Sequence, residues 1–277
     1  MKALKDPSAF SLVIPTYNEK ENLPYLIARL TKTLELVGYK FEIIIVDDDS
    51  PDETWKLATE MALKEPRLRV IRRQGKRGLA TAVVTGWKKA RGQILGVMDG
   101  DLQHSPEVLP DLLKAIVEMP GDIAVASRYA PGAKVEQWGF LRKIASRGAG
   151  LLARLALPGT LSKLWDPTSG YFVIRRSVIE NIDLCPRGFK ILIEVLARGR
   201  YKKVVEVPYL FGARNEGKSK LRTRQYIEFL SHLARLAWET GQLGRLLKFC
   251  AIGFSGASTL EFFQSYRLGL IIISGVN

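Results

Sequence analysis

Ile94-Leu95-Gly96-Val97-Met98-Asp99-Gly100-Asp101-Leu102-Gln103 decides how this chain is read. The first five residues are an apolar run of strand length, which reads as a buried strand. Two carboxylates separated by one glycine follow where that strand gives way to a loop. In open α/β sheets, ligands collect at the carboxyl ends of strands. An isolated Asp-x-Asp reads equally well as a polar turn. Carboxylates in this arrangement also suit a hard divalent cation, and Mg²⁺ characteristically takes one or two carboxylates plus substrate phosphates. A small residue between them lets a diphosphate approach closely.

The flanking sequence supplies the frame. Phe10–Ile14, Phe41–Val46, Leu68–Ile71, Ile94–Met98 and Ile123–Ala126 are β-like runs. Between them Glu21–Leu36, Asp52–Leu63, Leu79–Ala90 and Glu107–Glu118 carry helical spacing. Strands alternating with helices predict βαβ units and a mostly parallel, doubly wound mixed sheet. After Arg128 the rhythm changes. Trp138–Leu157 is basic and amphipathic, and Tyr171–Ile174, Ile191–Ala197 and Val204–Val207 read as strand, helix and strand. Leu221–Leu247 mixes Arg222, Arg224, Arg235 and Arg245 with Tyr226, Phe229, Leu230, Leu233 and Trp238, a pattern that fits either a membrane-surface helix or a helix packed on the domain.

The 277 residues are enough for one large α/β domain with an appendage, and 47% of them are hydrophobic. The net charge of +14 points to an anionic partner: a phosphorylated substrate, an anionic membrane surface or nucleic acid. Two distant cysteines, Cys185 and Cys250, argue against a disulfide framework or a zinc site. The first residues lack the apolar core of a signal peptide, and nothing before residue 245 is long and apolar enough to span a bilayer.

Two further strand ends carry polar residues. Ile14-Pro15-Thr16-Tyr17-Asn18-Glu19 closes the first, and Val46-Asp47-Asp48-Asp49-Ser50-Pro51-Asp52 closes the second. Acids at a strand end accept hydrogen bonds from a ribose or base in other nucleotide folds. Asp48 is assigned that role here. Asp47 and Asp49 are read as structural, and Ser50 or Asp52 as a cap for the next helix.

Together with Met98-Asp99-Gly100-Asp101-Leu102-Gln103-His104, Ser127-Arg128-Tyr129, Asp166-Pro167-Thr168-Ser169-Gly170-Tyr171-Phe172, Gly188-Phe189-Lys190 and Arg214-Asn215-Glu216-Gly217-Lys218-Ser219-Lys220, these stretches resemble the family 2 glycosyltransferases of GT-A fold. The later motifs, in this order, are similar to the polyprenyl-phosphate branch, the dolichol-phosphate mannose synthases among them. The resemblance runs from Phe10 to about Leu221. It implies a GT-A catalytic domain over residues 1–220, amphipathic interfacial helices over 221–245 and a truncated GtrA-like membrane-associated tail over 246–277. It also implies roles. Pro15, Tyr17, Glu19, Val46 and Asp48 would line the nucleotide pocket, with Gly100 touching it through its backbone. Asp99, Asp101 and Gln103 would bind Mg²⁺ or Mn²⁺. Arg128, Arg142 and Ser146 would hold the acceptor's phosphate, and Lys190, Arg214 and Lys220 would close on the donor. Asp101, Arg128 and Arg142 would carry the catalysis.

The expected reaction is inverting transfer of mannose from GDP-mannose to dolichyl or another polyprenyl phosphate at the cytoplasmic membrane face. UDP-glucose is the alternative donor. Such an acceptor is already ionised and needs no strong base, which suits a chain with only two histidines, His104 and His232. His104 is read as a support for the acidic loop and His232 as structural. The loop from Gly212 to Arg222, with its Gly, Asn, Ser and cations, reads as a lid. A non-enzymatic, lipid-binding membrane-surface protein and a nucleic-acid binder are the competing classes. Neither explains the acidic loop, and no nucleic-acid partner is expected, because phosphate-backbone binding needs no such carboxylates.

Overall fold

The computed structural model describes residues 10–136, 140–212 and 223–242, with the side chains of 140–142 and 223–224 excepted. Seven strands form the main sheet: β1 (Phe10–Thr16), β2 (Phe41–Asp47), β3 (Leu68–Arg72), β4 (Ile94–Val97), β5 (Ile123–Ser127), β7 (Phe172–Arg175) and β8 (Val204–Pro208). Their order is β3-β2-β1-β4-β7-β5-β8. All neighbouring pairs are parallel except the two made by β7, which runs antiparallel to both β4 and β5. β6 (Lys134–Val135) and β9 (Leu210–Phe211) form a separate two-stranded parallel sheet.

Every residue of β1 and β2 is buried. That explains why these strands read as continuous apolar runs: both faces of the sheet are covered. One face carries α1 (Leu23–Val37) and α4 (Leu109–Val117), the other α3 (Leu79–Lys89) and α7 (Ile191–Arg198). Helix α1 begins with Pro24 in its first turn and ends at Gly38 in the left-handed region. It buries Leu23, Leu26, Ile27, Leu30 and Leu34, the stripe its spacing predicts. Helix α3 lies so close to the sheet that a Cβ on Gly86 would come within 2.5 Å of Val13.

Helices α5 (Phe140–Ala156) and α8 (Thr223–Glu239) pack on each other beside α6 (Pro158–Leu161). Helix α8 joins the same core as α3 and α7 through Phe229, Leu233, Leu236 and Ala237. Its opposite face leaves Ile227 63% and Trp238 73% exposed, with Leu230 between them. Among the described residues no helix is long and apolar enough to cross a membrane. The proposed tail from residue 246 onward lies outside the described residues.

Candidate active site

Three parallel strands, β1, β2 and β4, end side by side, so their polar termini share one edge of the sheet. The three acids at the end of β2 each have partners within the protein. Asp47 is a brace: it accepts hydrogen bonds from the Thr16 hydroxyl at 2.8 Å and from the Ser50 amide and hydroxyl at 2.8 and 2.7 Å. Asp49 turns outward to Arg72 at 2.6 Å. Asp48 sits between them, buried, taking Arg73 Nε on Oδ1 at 2.6 Å and the Gly78 amide on Oδ2 at 2.7 Å. Asp52 accepts from the Thr54 amide at 3.0 Å, while the N-cap of α2 (Thr54–Ala62) is Glu53, which makes no side-chain cap, so neither Ser50 nor Asp52 occupies the cap position. Tyr17 lies under the Arg77 guanidinium, 4.9 Å from its ring centroid. Glu19 accepts from the Asn22 amide side chain at 2.8 Å. Pro15 and Val46 pair across the strand ends. A Cβ on Gly100 would meet Thr16, Ile14 and Glu19 at 3.4, 3.5 and 3.7 Å, so the acidic loop runs beside the end of the first strand.

Within that loop Asp99 Oδ1 is buried and has no hydrogen-bond partner, while Oδ2 lies 3.5 Å from His104 Nε2. A buried carboxylate oxygen without a donor is costly unless something else satisfies it. A divalent cation would. Asp101 follows two residues later and accepts the Gln103 amide on Oδ1 at 3.2 Å. Gln103 Nε2 donates to the Gly212 carbonyl at 3.3 Å. A group of three or more His, Cys, Asp or Glu that would cage a metal is absent among the described residues. Two carboxylates and an amide oxygen suit Mg²⁺ or Mn²⁺, which completes its shell with water and substrate phosphate. The donor set therefore fits the cation.

Opposite the acids stands a buried cationic group. Arg128 makes a two-pronged ion pair with Asp166, Nε to Oδ2 at 2.7 Å and Nη2 to Oδ1 at 2.8 Å, and Nη2 also reaches Thr168 Oγ1 at 3.0 Å. Burial disfavours charge on both partners, but the pairing outweighs it. The Asp166 carboxyl is held below its ordinary value and the Arg128 guanidinium stays firmly protonated. Lys190, just before α7, donates from Nζ to the Thr168 carbonyl at 2.7 Å. Burial, reinforced by the Arg128 charge, pulls its pKa down to about 8 against the attraction of Asp99 and Asp166. Burial also raises the Asp99 carboxyl, yet His104, Lys190 and Arg128 together hold it below its ordinary value.

Ser146 on α5 accepts the Tyr129 hydroxyl at 2.7 Å, and the Tyr129 ring centroid lies 5.4 Å from the Arg128 guanidinium carbon. Arg142 lies one helical turn earlier on α5. Its side chain lies outside the described residues, as do Arg214 and Lys220. Of the residues singled out in the sequence, Asp99 lies within electrostatic reach of Lys190 and Arg128, Asp101 contacts Gln103, and Pro15, Tyr17, Val46 and Asp48 sit at the neighbouring ends of β1 and β2. Sequence reasoning gave no role to Asp166, Thr168, Arg73, Gly170 or Tyr209. Asp166, Thr168 and Gly170 lay inside a quoted motif; Arg73 and Tyr209 carry no local signal, since their partners Asp48 and His104 are distant in sequence.

The glycosyl transferase family 2 profile matches residues 11–183, and the chain belongs to that family. Within it, the chain is 48% identical over 253 residues to a dolichol-phosphate mannosyltransferase of Pyrococcus furiosus, covering 91% of this chain and 70% of that protein. It is 36% identical to the dolichol-phosphate mannosyltransferase of Saccharomyces cerevisiae (82% of this chain, 86% of the relative) and 38% identical to the polyprenol monophosphomannose synthase of Mycolicibacterium smegmatis (85% and 88%). Among solved structures, glucosyl-3-phosphoglycerate synthase of Mycobacterium tuberculosis, determined with Mn²⁺, UDP and phosphoglyceric acid, shares the fold. Its TM-score is 0.56 at 19% identity, over 86% of this chain and 78% of that one.

Proposed function

We propose that this glycosyltransferase moves mannose from GDP-mannose to dolichyl or another polyprenyl phosphate, with inversion at the anomeric carbon and with Mg²⁺ or Mn²⁺ as cofactor. One observation supports the reading: a carboxylate loop with an unsatisfied buried oxygen lies within electrostatic reach of Lys190 and of Arg128, which is paired with Asp166.

The chemistry follows from charge. Breaking the anomeric C–O bond leaves negative charge on a nucleoside diphosphate. Asp99, Asp101 and Gln103 would hold the cation, which supplies Lewis-acid neutralisation of that leaving group. Lys190 adds a positive charge aimed at the same region, in a site where low dielectric makes it count. Asp48 and Tyr17 fix the nucleoside end. Arg128, Arg142 and Ser146 hold the acceptor phosphate, Arg128 through its positive charge, since its Nε and Nη2 already meet Asp166 and Thr168. The acceptor oxygen is already ionised, so it attacks the sugar carbon without surrendering a proton. Neither histidine is placed as a general base: His104 is wedged between Asp99 and Tyr209, and His232 is buried against Glu194 at 3.3 Å. Attack on the face opposite the departing diphosphate inverts the configuration.

The acceptor's tail needs an apolar surface. Helices α5 and α8 offer one, with Ile144, Leu151 and Leu152 on the first and Ile227, Leu230 and Trp238 on the second, beside the cations Lys143 and Arg147. An apolar stripe bordered by cations suits a helix pair lying in an anionic membrane interface, here the cytoplasmic one. Radiolabelled GDP-mannose with polyprenyl phosphate and Mn²⁺ should yield a lipid-soluble labelled product. Asp101→Ala should abolish that product with the circular-dichroism spectrum unchanged. A fully active Asp101→Ala protein would refute the cation assignment.

A further inference from the structure

His104 has no role in the transfer just described, yet it is one of the most enclosed polar side chains of the molecule. It is 3% exposed, packed edge-on to Tyr171 (5.4 Å between centroids) and Phe211 (5.1 Å) and stacked on Tyr209 (5.9 Å). Both ring nitrogens face polar groups. Nε2 faces Asp99 Oδ2 at 3.5 Å, and Nδ1 meets the Tyr209 hydroxyl at 2.8 Å. An ionised carboxylate only accepts hydrogen bonds, so the nitrogen turned toward Asp99 must carry the proton. In the neutral ring Nδ1 then has a lone pair, and the Tyr209 hydroxyl is the donor that fills it. Tyr209 therefore selects the tautomer, and the tautomer orients Asp99.

Gly170 closes the other side of the carboxylate. A Cβ there would sit 2.6 Å from Oδ2. Asp99 has one oxygen 3.5 Å from the His104 ring, is crowded by a glycine, and is left with its second oxygen buried and without a donor. A rotatable carboxylate would lose entropy on binding a cation; one already fixed does not. Tyr209 is itself anchored, since its carbonyl accepts the Lys134 amide at 3.1 Å. Three residues on, the Gly212 amide donates to the Gln103 carbonyl at 2.9 Å. The loop bearing the acids is thus bolted to the β8–β9 segment at neighbouring points.

We infer that His104 and Tyr209 are positioning residues: a tyrosine–histidine strut that presets Asp99 for a divalent cation. The inference rests on the cation reading given above. Support of this kind behind a metal ligand is typically worth about 10–100-fold in metal affinity.

The test is Mn²⁺ binding, followed by the electron paramagnetic resonance of free Mn²⁺ with GDP present, on the full chain. Tyr209→Phe keeps the stacked ring and removes only the hydroxyl. It should raise the Mn²⁺ dissociation constant several-fold while GDP affinity without metal stays unchanged. His104→Phe should raise it about 10–100-fold, and His104→Gln, which restores an N–H toward Asp99, should recover part of that loss. Tyr209→Phe and His104→Phe proteins that bind Mn²⁺ like the parent would overturn the strut. So would a parallel loss of metal-free GDP affinity, which marks a collapsed pocket. Should His104→Phe not fold, Tyr209→Phe decides alone. A parent protein that fails to bind Mn²⁺ with GDP overturns the cation reading itself, and the strut with it.

Discussion

Lys190 makes opposite demands on folding and on ligand binding, and pH separates them. Its pKa is lowered from 10.5 to about 8, first by burial and then by the Arg128 charge. The unfolded chain holds the proton more tightly, so between about pH 8 and 10.5 it binds more protons than the folded one. Stability of the ligand-free protein should therefore rise with pH across that window. The gap corresponds to at most about 3 kcal/mol. Anion binding runs the other way. If only the ammonium form engages the donor's diphosphate, apparent affinity scales with its population, which falls about tenfold between pH ~7 and pH ~9 for a group titrating near 8. Titration calorimetry of GDP with Mg²⁺ across that range, paired with chemical denaturation, measures both slopes. Lys190→Met should bind GDP weakly at pH ~7, show no alkaline loss, and unfold at higher denaturant. Parent protein whose GDP affinity stays flat while Lys190→Met matches it would refute the assignment of Lys190 to the donor.

Other outcomes follow from single contacts. Gly170→Ala places a Cβ 2.6 Å from Asp99 Oδ2, so it should cut Mn²⁺-dependent transfer at least tenfold with little change in far-ultraviolet circular dichroism. Asp166→Asn removes the charge that balances buried Arg128. It should lower stability by about 3–5 kcal/mol in urea unfolding, the cost typical of breaking a buried pair. The double substitution Ile227→Ser with Trp238→Ser changes exposed positions on α8. It should weaken co-sedimentation with anionic vesicles while leaving thermal stability within about 0.5 kcal/mol of the parent.

The parts of the fold that local pattern controls were legible in the chain. Apolar runs at Phe10, Phe41 and Ile94 became the central strands, and the stripe from Leu23 to Leu34 became the buried face of α1. The acidic loop lay where a buried strand had to end. Strand direction was not legible: nothing within Phe172–Arg175 says that it runs antiparallel between β4 and β5, because both faces are buried either way. The two-residue strands β6 and β9 are too short to carry any period. The site divides along the same line. Asp99, Asp101 and Asp48 announce themselves by position at strand ends. Arg128 reads from sequence as a phosphate clamp, and the structure adds that Asp166, thirty-eight residues away, already grips its fork. An acceptor phosphate must therefore approach a guanidinium that is oriented in advance. Tyr209 and the depressed Lys190 are products of burial, which no local stretch encodes.

The most direct measurement is a crystal structure with GDP-mannose and Mn²⁺, using anomalous scattering to place the metal. A manganese peak bridging the diphosphate and the Asp99–Asp101 loop, with Lys190 turned to the same phosphates, is the expected result. A diphosphate seated at the strand ends with no metal at those carboxylates would contradict the proposed chemistry.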